Sequence, residues 1–281
     1  MIRKPLYNAS SLFTAQKLVK LEYDYTWYTE ILPTIWPKES SSMTLKEALE
    51  RLYKLMLSEY RCEYVYKNEI IRQILIKGHK NEARAFTEVE VQKSIADVVI
   101  INGTSSVYEI KTELDGLNRL ENQLHSYRLV FDKMFVVTHK EKLDSIKKVI
   151  GKDVGLIILK DKGKLETVRE AKSNKKHVRS EYVFNLLHKE EYTKIIKSHF
   201  GYIPKVQPIQ LFTECKRLFS LIEPIKAHTY MVKALRNRRT PWYQEDLFKA
   251  LPHSLKLIGL TSRLTKQNCI DIQNRLSLIA S

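Results

Sequence analysis

The stretch that decides the fold runs from residue 95 to residue 111 and reads IADVVIINGTSSVYEIK. Residues 95–101 form a compact, β-branched run, and such runs favour a buried strand. Asn102 and Gly103 give the strongest short-range signal for a hairpin turn. Residues 107–111 then read as the returning strand. The stretch therefore predicts two antiparallel strands joined by a tight turn.

The flanking sequence extends this hairpin into a layered domain. Residues 87–91 alternate apolar and polar side chains and predict a preceding strand. After Asp115 and Gly116 the period becomes helical, and one helix face is predicted to carry Leu117, Leu120, Leu124, Tyr127 and Phe131. Residues 134–137, 154–159 and 164–168 predict further strands, with a helix over 140–150. The pattern indicates an α/β fold with a mixed central sheet flanked by helices.

The sequence predicts three segments, with a linker between the second and the third. Residues 1–43 are aromatic-rich and irregular, with Pro33 and Pro37 interrupting helix formation, and are expected to pack on the core. Thr44 and Glu47 form a capping-box signature for a helical run to about residue 78, with a break near residues 61–62. Residues 44–170 make up the predicted α/β domain. A polar linker follows at 170–180, and residues 181–281 predict an all-helical domain.

The charge favours a polyanionic partner. The chain carries 48 Lys and Arg against 32 Asp and Glu, a formal net charge of +16. Residues 176–281 hold 18 of the basic residues and 8 of the acidic ones, so the helical part carries most of the excess. A basic solvated surface, an acidic membrane surface or a ribosomal contact would also account for this charge.

Cysteine content and hydropathy indicate the cellular compartment in which the protein is expected. The three cysteines are far apart and form no CxxC pair, which argues against a zinc ribbon or a disulfide framework. We therefore expect a reducing, cytoplasmic environment. Lys4, Lys17 and Lys20 interrupt any signal-peptide core, and no apolar run approaches the ~20 residues that span a bilayer. No membrane association is expected.

One constellation on the hairpin carries chemistry. Glu109 and Lys111 lie two residues apart, so they project from one face of the strand, and the turn brings Asp97 alongside them. Two carboxylates can hold Mg²⁺ or Mn²⁺, and a neighbouring lysine can orient a metal-bound water. This set suits phosphodiester hydrolysis. The alternative is a pair of exposed strand carboxylates beside a surface lysine.

The residues of this constellation resemble those of a known family. The stretches IADVVI, NG and VYEIKTELD, followed by RLENQLHSY, are similar to the core of PD-(D/E)XK nucleases, especially the RecB-like and related bacterial and phage branch. The resemblance implies a restriction-endonuclease-like core. It also implies catalytic roles for Asp97, Glu109, Lys111, Gln123 and Tyr127. Ala96 stands where the family has proline.

The same resemblance implies a ligand set. Asp97, Glu109 and the carbonyl of Ile110 would hold the cation. The family also has an acid on the preceding helix, for which Glu63 is preferred over Glu69. Glu88 and Glu90 are further acids one strand away, and they fit solvent-facing strand positions at least as well as a metal role.

Basic and aromatic residues near the end of the chain suggest a DNA contact. Arg119, with Asp115, occupies the position of a D…R pair in a related subgroup. The predicted DNA-binding residues are Arg119, Lys233, Arg236, Arg238 and Arg239, with Trp242 and Tyr243 available for stacking on bases. The alternative is a charged helix end followed by a buried Trp-Tyr pair.

The sequence thus predicts a Mg²⁺-dependent deoxyribonuclease. Since one centre cuts one strand at a time, a homodimer or a partner protein would be needed to cut both strands. One alternative is a non-catalytic nucleic-acid-binding protein on a nuclease-like fold. Another is an interaction or regulatory protein whose basic surface contacts an acidic partner.

Overall fold

A computed structural model describes residues 10–19, 43–76 and 83–278. Its helices are α1 (Ala15–Val19), α2 (Leu45–Glu59), α3 (Glu63–Ile70), α4 (Leu120–Arg128), α5 (Leu143–Val149), α6 (Ser180–Val183), α7 (Lys189–Phe200), α8 (Pro208–Ser220), α9 (Pro224–Arg236), α10 (Trp242–Ala250), α11 (Lys256–Thr261) and α12 (Lys266–Leu276). Its strands are β1 (Arg84–Val91), β2 (Ser94–Ile101), β3 (Ser105–Ile110), β4 (Lys133–Thr138), β5 (Gly155–Leu159) and β6 (Leu165–Arg169). In these ranges no helix has the length and apolar character needed to cross a bilayer.

The strands form one mixed sheet in the order β1-β2-β3-β4-β5-β6. The pairs β1–β2 and β2–β3 are antiparallel, whereas β3–β4 and β4–β5 are parallel. Gly103 turns the β2–β3 hairpin with a φ of +93°, a conformation that glycine adopts without steric cost. The predicted hairpin and the predicted α/β class with a mixed sheet flanked by helices are confirmed.

The crossover helices explain the change of strand direction. A parallel neighbour requires a connection that returns the chain to the same end of the sheet, and α4 and α5 supply it before β4 and β5. All residues of β3 and β5 are buried. Coverage of both faces agrees with the continuous apolar run of β5, whereas β3 carries the buried polar residues Ser105, Ser106 and Glu109.

The helical run before the sheet breaks where the sequence predicts. Thr44 and Glu47 form the capping box of α2, which ends at Glu59, and α3 begins at Glu63. Residues 71–76 continue α3 as a π-helix. The predicted end near residue 78 lies outside the described residues, as do Pro33 and Pro37. Within the predicted irregular segment 1–43, the described part includes the short helix α1.

The chain divides into two compact units whose boundaries differ from the predicted domains. The first unit contains residues 1–77, 159–165 and 239–281, and the second contains 78–158 and 166–238. The second unit is continuous across the predicted linker because residues after 180 share the core of the sheet. Phe184, Phe219 and Met231 are buried in the same cluster as Val99 and Phe131.

The polar stretch 170–180 is packed rather than free. The Asn174 amide donates to the carbonyls of Arg128 and Phe131, at 2.6 and 2.9 Å. The Ser180 hydroxyl donates to the Ile222 carbonyl at 2.7 Å. Polar composition predicted a linker here, but these side chains satisfy buried backbone groups.

The first unit is held by its own polar network. Asn68 is fully buried, donates to the His253 carbonyl at 2.9 Å and accepts from the Leu257 backbone at 2.9 Å. It thereby ties α3 to the segment that begins α11. Leu45 also donates its backbone N–H to the Leu278 carbonyl at 3.0 Å.

A buried histidine ties the helices of the second unit to its sheet. His228 on α9 is 2% exposed, and its Nε2 lies 2.7 Å from the hydroxyl of Ser105 at the start of β3. The Ser105 hydroxyl accepts from the backbone N–H of Asp132 at 3.0 Å, which leaves its proton for His228 Nε2. Burial lowers the pKa of His228 to about 4, although Asp132 opposes the shift. The imidazole is therefore a neutral acceptor at neutral pH.

We expect His228 to make unfolding easier in mild acid. The unfolded chain protonates this histidine below about pH 6.5, whereas the folded protein resists protonation down to about pH 4. The free energy of unfolding should therefore fall as the pH drops through this window, by on the order of 3 kcal/mol from this group. Urea denaturation at several pH values measures the fall.

His228→Gln is the matched variant, since its side chain can still accept from Ser105 but does not titrate. Its unfolding free energy should fall less than that of the wild type between pH 6.5 and 4. Parallel pH profiles for the two proteins would contradict the assignment.

Candidate functional site

A buried ion pair lies at the end of β3. Glu109 is 1% exposed and Lys111 is 7% exposed, and the Lys111 ammonium lies 2.6 Å from Glu109 Oε1. Strand β3 ends at Ile110, one residue earlier than predicted, but Lys111 still donates its backbone N–H to Val137 on β4. The two side chains therefore project from the same face, as their spacing predicts.

Helix α4 completes the surroundings of this pair. Lys111 donates to Gln123 Oε1 at 2.9 Å, and the Tyr127 hydroxyl lies 2.8 Å from Glu109 Oε2. Gln123 and Tyr127 are four residues apart, which places them on one face of the helix. That face is turned toward β3, as predicted.

The Tyr127 hydroxyl has two acceptors for one proton. It lies 2.7 Å from the Ile95 carbonyl as well as 2.8 Å from Glu109. The tyrosine donates this proton to the carboxylate and to the carbonyl, which share it. Burial raises the pKa of Glu109 above its ordinary value, although Lys111 and Tyr127 oppose the shift. Burial therefore makes Glu109 easier to protonate than an exposed glutamate, although it is paired with Lys111.

Asp97 reaches the same end of β3 from β2. Its Oδ2 accepts from the backbone N–H of Ile110 at 2.6 Å. The structure thus brings together Asp97, Glu109, Lys111, Gln123 and Tyr127, the five residues predicted to form one site. Ile110 contributes its N–H to this contact, and its predicted role as a carbonyl ligand stays a prediction.

Glu88 lies beside Asp97, and the sequence left it, with Glu90, between a solvent-facing strand position and a metal role. It lies opposite Asp97 in the β1–β2 register, between the pairs Thr87–Val98 and Val89–Ala96. Carboxylate oxygens of Glu88 and Asp97 lie within 4.8 Å of each other. Glu88 has a φ of +52°, which is uncommon for a residue with a side chain. Strand alternation carries no signal for such a backbone conformation.

The two helix acids that competed for a metal role have partners in the first unit. Glu63 begins α3 and forms an ion pair with Lys67. Glu69 is 1% exposed and accepts from Tyr53, Arg72 and Gln73. Glu69 therefore has a structural role, whereas the ligand role of Glu63 stays a prediction.

The predicted DNA-binding residues differ in their availability. Arg119 is exposed before α4, and Lys233 is exposed on α9, which ends at Arg236. Arg238 instead forms a two-pronged ion pair with Glu191 at 2.7 Å and stacks over Phe86. Arg238 thus holds the second unit together.

The last predicted residues of this group belong to the first unit. Arg239 is exposed there. Trp242 is 63% exposed, which argues against the alternative of a buried Trp-Tyr pair. The Lys266 ammonium lies 5.2 Å from the centre of the Trp242 ring.

The comparisons with known proteins identify the family. The family model for bacteriophage P4 protein cII matches residues 56–256. This chain belongs to that family. Protein cII of Enterobacteria phage P4 is 29% identical over 103 residues, an alignment that covers 36% of this chain and 39% of the phage protein. No solved structure matches the chain.

These matches overturn the nuclease assignment. The matching family model and the curated relative are both cII proteins, and neither is a PD-(D/E)XK nuclease. The predictions of a nuclease family, of a deoxyribonuclease and of hydrolase activity are therefore wrong. The five clustered residues have a structural explanation, because a buried carboxylate needs compensating partners whatever the protein does.

We expect Lys111→Met to destabilise the fold by about 3 kcal/mol at pH 8, because Glu109 would be left buried and unpaired. The raised pKa of Glu109 allows it to accept a proton in the folded state, so the loss should shrink toward pH 5. Urea denaturation at both pH values measures the effect.

Glu109→Gln combined with Lys111→Met is the matched control. It removes both charges, so it should recover part of the lost stability at pH 8 and show little pH dependence. A Lys111→Met loss of the same size at both pH values would rule out an unpaired Glu109 charge as its cause.

Proposed function

We propose that this cII-family protein binds nucleic acid through lysines on α7 and α9. The observation that carries the proposal is a group of exposed lysines on these two helices that make no ion pair within the described residues: Lys189, Lys194, Lys197, Lys226 and Lys233. Unneutralised ammonium groups attract phosphates and release condensed counterions when they bind them.

Lysines of the two helices lie on neighbouring faces. Lys194 on α7 and Lys233 on α9 line the same cleft. Lys226 lies seven residues before Lys233, on the same side of α9. Burial, together with the charge of Lys226, lowers the pKa of His199 on α7. We call Lys194, Lys226 and Lys233 the α7–α9 lysines.

The charge distribution of the second unit supports this placement. Residues 170–238 contain 14 Lys and Arg against 6 Asp and Glu, a net charge of +8. Lysine contacts phosphate as a point charge, whereas base recognition more often uses the planar fork of arginine. We therefore propose that the protein binds along the phosphate backbone of the nucleic acid, with little dependence on base sequence. DNA is the partner that we propose to test first.

The fold of the sheet and α4 is also part of this proposal. We propose that the α/β sheet, with α4 crossing between β3 and β4, forms a restriction-endonuclease-like core. We propose this core as a scaffold for binding. No phosphodiester hydrolysis is proposed.

Replacing the α7–α9 lysines with methionine should weaken DNA binding. Methionine keeps an apolar stem and removes the charge. We expect the slope of log affinity against log salt to decrease by about three, one for each lost phosphate contact. Fluorescence anisotropy with a labelled duplex, from 50 to 300 mM salt, measures the change. The same titration with single-stranded DNA and RNA gives the strand preference.

The control replaces Lys148, Lys152 and Lys172, which are exposed elsewhere on the second unit, with methionine. It lowers the net charge equally, so it separates a local contact from general attraction. Equal weakening by the two triple variants would argue against the α7–α9 lysines. Binding that does not depend on salt would exclude a contact with the phosphate backbone of the nucleic acid.

A divalent cation is the second part of the proposal. Asp97 and Glu109 supply hard oxygen donors that suit Mg²⁺ or Mn²⁺, and Glu88 adds a third carboxylate beside Asp97. The residues fit a cation in part, since Lys111 already neutralises Glu109. Asp97 and Glu88 are therefore the better placed ligands.

Electron paramagnetic resonance of Mn²⁺ tests this part directly. We expect Asp97→Asn and Glu88→Gln each to weaken Mn²⁺ binding by at least about tenfold, because each removes a charged oxygen ligand. Asp144→Asn, which removes an exposed carboxylate on α5, is the control and should leave binding unchanged. Equal Mn²⁺ binding by all four proteins would remove the cation from the proposal.

A further inference from the structure

A cleft of about 370 Å³ opens between α7 and α9 of the second unit. Its walls include Lys194, Ile195, Tyr230, Lys233, Asn237 and Arg238. Sites for small molecules typically start at about 300 Å³ and combine apolar walls with a few placed polar groups. The cleft thus has the size and the mixed lining of a small-molecule site.

The polar side of the cleft is arranged for an anion. Lys194 and Lys233 make no ion pair within the described residues. Arg238 uses Nε and one terminal nitrogen on Glu191 and on the Leu186 carbonyl, at 2.7 to 2.8 Å. Its other terminal nitrogen, Nη1, makes no hydrogen bond in the described structure. The lining therefore offers two free ammonium groups and two free guanidinium N–H donors.

Glu191 does not cancel this preference. Its carboxylate is paired with Arg238 and also accepts from the backbone N–H of His188 at 2.7 Å, where it caps α7. The pairing holds the guanidinium in place, so its free edge is preorganised. Three cationic side chains against one acid leave the lining with a net charge of +2. A dianion such as a phosphate monoester matches this charge.

The other walls suit a ring. Ile195 and Ala234 are apolar, and Tyr230 adds an aromatic side chain. The Tyr230 hydroxyl lies 3.1 Å from His199 Nδ1, which fixes the orientation of the phenol. Aromatic side chains stack on the faces of nucleic acid bases without strong preference among them.

We infer that this cleft binds a nucleoside 5′-monophosphate, with its phosphate on Lys194, Lys233 and Arg238 Nη1 and its base against Tyr230. Inorganic phosphate would fill only the cationic end of the cleft. The inference goes beyond nucleic-acid binding, because a free nucleotide is a separate ligand that needs Tyr230 and does not need Lys226.

Isothermal titration calorimetry of the full chain tests the inference. The titrants are adenosine 5′-monophosphate, uridine 5′-monophosphate, ribose 5-phosphate and inorganic phosphate. We expect both nucleotides to bind at least about tenfold more tightly than ribose 5-phosphate, and inorganic phosphate to bind weakest. Lys194→Met with Lys233→Met should weaken nucleotide binding by at least about tenfold, since charge-assisted contacts are lost. Tyr230→Leu should remove the advantage over ribose 5-phosphate.

Lys148→Met and Lys172→Met are the matched controls. Both lysines are exposed elsewhere on the second unit, and neither lines the cleft. Both variants should bind nucleotide like the wild type. Absence of nucleotide binding at millimolar concentration, or equal loss in cleft and control variants, would overturn the inference. Nucleotide binding with no DNA binding would reject only the proposed function, and DNA binding without nucleotide binding would reject only the cleft.

Discussion

The buried carboxylate of Glu109 is the group on which the arrangement of the sheet and α4 depends. Removing a carboxylate from water costs several kcal/mol unless partners compensate it. Here the ammonium of Lys111 and the hydroxyl of Tyr127 lie within 2.8 Å of its two oxygens. One partner comes from the end of β3 and the other from α4. Any shift of α4 along the sheet would therefore separate Tyr127 from Glu109, so the pair fixes the position of the crossover helix.

Asp97 has a structural task of the same kind. The paired residues of β2 and β3 end at Val98 and Tyr108, so the backbone N–H of Ile110 lies beyond that ladder. Asp97 takes this N–H at 2.6 Å with its side chain. Both acids that resemble metal ligands in the sequence thus satisfy groups that the fold itself leaves open. A D…ExK pattern on a hairpin can arise for this reason in a protein whose family is cII rather than nuclease.

Local rules of the sequence were enough for the centre of the fold. The hairpin at Gly103, the crossover helices and the capping box at Thr44 depend on residues within a few positions of each other, so their signals can be read directly. The convergence of Gln123 and Tyr127 on Glu109 also follows from spacing along α4. The unit boundaries could not be read in this way, because residues 166–238 join the sheet core through contacts distant in sequence. The positive φ of Glu88 likewise could not be predicted, because the alternation of apolar and polar residues in a strand does not depend on it.

Net charge alone does not show which cations are available to an anion, because the fold engages some of them in ion pairs. Arg128, Arg217 and Arg238 form ion pairs with acids at 2.6 to 2.7 Å. Arg238 and Glu191 are 47 residues apart, so no local pattern predicts their contact. The planar fork of arginine suits carboxylates, and lysine loses more by being fixed in one place. Within the second unit these arginines are therefore engaged with acids, whereas Lys194, Lys226 and Lys233 make no ion pair within the described residues. A count of basic residues gives the size of the attraction, but only the pairing of each side chain shows where that attraction can act.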